Sequence, residues 1–159
     1  MPAGIAERPR DVRGFPITFV TFIGSDGRPD FTTIDAERIL DCLRERLCGM
    51  CGHELGLGEN VAFIGGPKSI EHGNFLDPPM HPECARYAMK VCPHIAIPTA
   101  RYGKPLENGE REYFDQVDPN RPEKFGLIEV LDYGITRIDG QPVFLINPFA
   151  GTTTWQEDL

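Results

Sequence analysis

The sequence predicts an α+β fold, with short helices and β-hairpins gathered around a cysteine- and histidine-rich centre and a β-rich C-terminal part. Three observations carry this. All five cysteines and all four histidines of the 159 residues fall between Cys42 and His94. Fifteen prolines and seventeen glycines punctuate the chain, which favours short elements joined by many turns. Apolar periodicity also changes along the chain, from strand-like runs to helical spacing and back.

Residues 1–14 read as a polar leader. The stretch from Phe15 to Ile23 is rich in β-formers and predicts a strand, with Pro16 at its start, where a missing donor is tolerated. Ser25-Asp26-Gly27 signals a turn, after which Arg28 to Thr32 returns as a partner strand. Asp35 suits the N-cap of a helix from Ala36 to about Leu47, because Ile39, Leu40, Leu43 and Leu47 share one face.

That helix leads into Cys48-Gly49-Met50-Cys51-Gly52, a C-x2-C-G knuckle. Two residues between the cysteines let one tight turn present both sulfurs to one ion, and Gly52 can take the positive φ that turns the chain back. Asn60 to Ile64 reads as a strand and Gly65 to Met80 as a loop. Gly65-Gly66-Pro67-Lys68-Ser69 fails as a phosphate loop, since Pro67 stands where that motif needs glycine before the lysine.

At His81-Pro82-Glu83-Cys84 a second pair of ligand type opens a helix running from Pro82 to about Val91. Pro82 fits the first helical position, and a spacing of three puts His81 and Cys84 on one face. Two such pairs make a tetrahedral Cys3His zinc site of Cys48, Cys51, His81 and Cys84, laid out like a treble clef: a knuckle, an excursion, then ligands at a helix N-terminus.

Other residues compete for these roles. On a continuous helix Cys92 lies roughly 12 Å along the axis from Cys84. It would therefore have to replace His81 and Cys84 together, or fold back past a helix end broken at Pro93. Cys42 is expected to pack on its helix, and His53, His72 and His94 are spare donors more in keeping with the surface. A dithiol redox motif normally follows a strand and opens a helix, whereas here a helix precedes the knuckle.

The chain organises as a polar leader (1–14), a zinc-binding α+β core (15–98), a proline-rich polar connection (99–124) and a C-terminal β-rich part (125–159) packed on the core as one domain. In that last part Phe125–Leu131 and Gly134–Ile138 read as strands, and Asp139-Gly140 makes a hairpin signal before Val143–Ile146. Thr152 to Trp155 adds an edge pairing.

A hydrophobic share of 40% and a charged share of 25% suit a globular protein. No apolar run approaches the roughly 20 residues of a membrane span, and the first residues carry no signal-peptide core, so a cytoplasmic protein with reduced thiols is expected. A net charge of −8 disfavours nucleic acid as a partner, with eight acidic residues against three basic between Glu107 and Asp132.

Several motifs together resemble small uncharacterised proteins of actinobacteria and their phages. They are Gly14-Phe15-Pro16, Asp26-Gly27-Arg28-Pro29-Asp30-Phe31, the helix end and knuckle from Arg44 to Gly52, Ala62 to Pro67, and Pro78 to Pro93. The similarity covers roughly residues 14 to 98 and is loose from Phe125 on. It implies Cys48, Cys51, His81, Cys84 and also Cys92 as recurring positions, which keeps Cys92 in play as a ligand. It implies no activity.

The function expected from these residues is a non-enzymatic zinc-binding protein whose closed structural site supports interaction with a protein partner. Two enzymatic alternatives stand beside it. His81-x-Glu83 is similar to the H-x-E of zinc deaminases, but C-x2-C precedes it instead of following, and Glu83 also suits a helix's first turn as a plain favourable charge. A treble-clef nuclease would use a spare histidine and a basic track, which the acidic balance opposes.

Overall fold

The computed structural model describes residues 1–96 and 122–159, together with a two-stranded pairing of Lys104–Pro105 (β5) with Arg111–Glu112 (β6). Most of the connection expected over 99–124 lies outside the described residues. The architecture is mixed α and β, with short helices and antiparallel sheets.

A single helical turn, Ala3–Ala6 (α1), begins the chain and buries Ile5 completely. Residues 1–14 therefore contribute to the core and are not merely a polar leader. Of the strand expected over 15–23, only Thr21–Ile23 (β1) forms. Phe19 and Val20 instead donate their N–H groups to the Met50 and Gly49 carbonyls at 2.9 and 3.2 Å, so this segment straps the knuckle. β1 pairs antiparallel with Pro29–Ile34 (β2) across the expected turn, where Gly27 takes φ 76°.

Ala36–Glu45 (α2) starts at Asp35, whose carboxylate accepts from the N–H groups of Glu37 and Arg38. It ends two residues before Leu47, because Arg46 adopts a left-handed conformation (φ 51°) that swings the chain into the knuckle. Val61–Gly65 (β3) is buried along its length.

The loop expected over 65–80 holds two elements. Pro67–His72 (α3) has proline in its first turn and left-handed Gly73 as its cap, and Asn74–Phe75 (β4) follows. Pro82–Val91 (α4) ends at Cys92, whose extended backbone passes the chain to Pro93–Ala96 (α5).

Gly126–Val130 (β7), Gly134–Ile138 (β8), Gln141–Leu145 (β9) and Thr152–Trp155 (β10) make up the C-terminal part. They complete sheets begun earlier in the chain: one runs β10-β7-β3 and the other β4-β9-β8. Asp139 and Gly140, at φ 49° and 79°, form the tight turn between β8 and β9. The core lies between α4 and these sheets, with Phe63, Phe144, Leu127, Ile128 and Met89 among its largest fully buried side chains. Phe63 holds Phe75 and Phe144 at ring separations of 5.0 and 6.0 Å.

Candidate metal centre

The knuckle is a backbone hairpin closed by local bonds. Leu55 N–H donates to the Arg46 carbonyl (2.7 Å), Cys48 N–H to the His53 carbonyl (2.8 Å), and Gly52 N–H to the Cys48 carbonyl (2.8 Å). Gly52 takes φ 80°, as the turn requires. A Cβ on Gly49 would stand 2.6 Å from Cγ of Pro78, so glycine directly after Cys48 lets the second half of the site approach.

That second half is positioned by the sheet and the first half together. Met80 exchanges two backbone hydrogen bonds with Ala62 of β3, and Gly49 N–H donates to the Pro79 carbonyl at 3.0 Å. His81 then caps α4, and its own N–H donates to Cys48 Sγ at 3.4 Å. Cys84 follows in the first turn, buried to 1% exposure.

Cys48, Cys51, His81 and Cys84 thus present one ligand atom each, all within 4.8 Å of one another. Nδ1 of His81 lies 3.5 Å from Cys51 Sγ and 4.0 Å from Cys84 Sγ. Nε2, on the other side of the ring, is 3.1 Å from the Glu54 carbonyl oxygen. A carbonyl only accepts, so Nε2 carries the proton and Nδ1 turns its lone pair to the sulfurs. Three sulfurs and an imidazole nitrogen at this spacing can hold a metal ion, and the donor set suits zinc.

The thiols polarise one another. Hydrogen bonds from the Cys51 and Cys84 thiols, then from the N–H groups of Cys51 and His81, draw Cys48 towards the thiolate despite burial. Cys84 is driven the other way by the hydrogen bonds it shares with Cys48 and Cys51 and by burial. The cluster thus holds a thiolate at Cys48 and keeps a proton at Cys84, and binding a cation there would release the remaining thiol protons.

The rival donors go elsewhere. Cys92 is half-buried at the end of α4 and outside the group of four. Cys42 is fully buried in α2, and burial first, then nearby Cys48, pushes its thiol up to about 12. His53 is exposed and 3.2 Å from Glu7; His72 is exposed in α3; His94 lies in α5. Glu83 is exposed on α4 beside a surface depression that Arg86 and Lys90 also line.

Sequence reading missed what lies over the knuckle. Gly4 of α1 is so close that a Cβ there would stand 3.0 Å from Cys51 Cβ and 3.2 Å from its Sγ. Phe19 packs on Gly52 with Arg8 and Arg38 over its ring at 5.8 and 4.7 Å. Ile5, the one large aliphatic residue among the first ten, was the available signal. The chain matches no protein-family model, no curated protein and no solved structure.

Proposed function

We propose that the chain is a zinc protein in which Cys48, Cys51, His81 and Cys84 hold one ion in a closed structural site, and that it works as a non-enzymatic interaction module. The observation that carries this is the convergence of three buried sulfurs and one oriented imidazole nitrogen within 4.8 Å. Four protein ligands fill a tetrahedron and leave no position for a substrate. Bound there, zinc would supply cross-linking between the knuckle and α4, in the manner of a treble clef.

The same residues speak against the enzymatic alternatives. A deaminase needs a glutamate beside the metal to carry protons, and Glu83 is exposed outside the group. A protein partner suits the exposed apolar side chains Leu57, Leu131 and Phe149, at 82%, 63% and 97% exposure, together with a net charge of −8 that repels polyanions. We place the chain in the cytoplasm, where its thiols stay reduced, among the actinobacterial and phage proteins whose motifs it resembles.

Elemental analysis of the purified protein tests the site. One zinc per chain is expected in the wild type and in Cys92→Ser, and loss of zinc in Cys84→Ser. Full retention in Cys84→Ser, or loss in Cys92→Ser, sinks the assignment.

A further inference from the structure

We propose that the N-terminal segment belongs to the metal centre: α1 and Arg8 close over Cys51, so that a metal ion is loaded and lost at His81. This rests on the zinc reading above and adds which ligand opens first and what keeps the others shut.

The four ligands are unequally covered. Cys48, Cys51 and Cys84 are 0%, 4% and 1% exposed, whereas His81 is half-buried and its bond to Glu54 lies at the surface. Cys51 owes its cover to residues far from it in sequence. Ile5 is fully buried, which anchors α1, and Gly4 brings the helix backbone to van der Waals distance of Cys51 Sγ. A Cβ at that point would sit 3.0 Å from Cys51 Cβ and His53 Nδ1 and 3.2 Å from Cys51 Sγ, so a larger side chain presses directly on the covered sulfur.

Arg8 holds the segment down. Its Nε donates to the Ile17 carbonyl at 2.9 Å, and a terminal NH2 group reaches the Thr18 carbonyl at 3.4 Å. Those carbonyls belong to the strap whose next residues, Phe19 and Val20, donate to the knuckle. The guanidinium also lies within electrostatic reach of Cys51. Three thiolates and one neutral imidazole around a divalent cation carry a net charge of −1, and a half-buried arginine within electrostatic reach of Cys51 partly offsets it.

A competing donor therefore meets a shielded, charge-compensated set of sulfurs and one half-buried imidazole whose Nε2 edge reaches the surface. It displaces His81 Nδ1 first, and the thiolates follow once the chain has loosened. Outward-facing His81 and covered Cys51 make the site asymmetric although its ligands are close together.

The test follows zinc release from the full-length protein to excess 4-(2-pyridylazo)resorcinol, with zinc content measured first. His81→Cys should slow release, and Arg8→Gln and Gly4→Val should speed it, the latter two by roughly ten- to a hundredfold, the scale on which outer-shell partners change metal affinity. In Arg8→Gln, iodoacetamide followed by mass mapping should label Cys51 ahead of Cys48, Cys84 and buried Cys42. One zinc per wild-type chain with unchanged release in these variants overturns this inference alone, as does equal labelling of all four cysteines, which would mean general loosening. A wild type without zinc overturns the metal reading itself and this inference with it.

Discussion

Met80 and Ala62 exchange both of their backbone hydrogen bonds, at 2.9 and 2.8 Å, one residue before His81. The Cys3His cluster is thereby stitched to β3, and β3 in turn pairs along its whole length with β7 from the far end of the chain.

Chelation should therefore unfold the described fold as a unit. A structural zinc contributes an apparent ~10–16 kcal/mol near neutral pH, against a typical domain stability of ~5–15 kcal/mol. The strands beyond Phe125 have no sheet of their own, since β7 lies between β3 and β10 and β9 lies between β4 and β8. Circular dichroism melts with and without EDTA check this. A chelated sample that keeps a cooperative β-sheet transition contradicts it.

Gly49→Ala should weaken the site without touching a ligand. The added Cβ would meet the Pro78 ring at 2.6 Å, and a proline ring has little freedom to yield. Overpacking of this kind costs ~1–3 kcal/mol. A urea titration of the zinc-loaded variant reads it directly, and stability equal to wild type would show that the two halves of the site can separate at no cost.

Alkaline pH should destabilise the protein through Cys42. Its folded value, pushed up by burial to about 12 from an ordinary 9.0, lies above the unfolded one, so its contribution is fully present below pH 9.0 and is lost as pH rises towards 12. The loss approaches ~4 kcal/mol at most, from about 1.4 kcal/mol per pH unit. Cys42→Ala removes the ionisation and leaves only a small cavity whose cost does not depend on pH, so its stability should fall less between pH 9 and 11; parallel curves would refute the account.

Duplex DNA should bind weakly at physiological salt. The chain carries −8 overall, and on α4 Arg86 is already paired with Glu129 of β7. A submicromolar affinity with a steep salt dependence in a gel shift would reverse this expectation.

Short-range chemistry was legible in the sequence by itself. Asp35 as a cap, Asp139-Gly140 as a hairpin turn, the C-x2-C-G knuckle and Pro82 opening a helix each depend on sterics and hydrogen bonds within a few residues. The convergence of Cys48, Cys51, His81 and Cys84 followed from two such local pairs. Tertiary structure decided the rest. Phe19 and Val20 leave the expected strand because the Gly49 and Met50 carbonyls capture their N–H groups, and Ile5 draws a polar opening onto the knuckle. Cys92 drops out because the helix carries it away from Cys84, and β7 enters between β3 and β10 across more than sixty residues of chain. These outcomes depend on which distant surfaces meet, and no local pattern of residues encodes a partner that lies elsewhere in the chain.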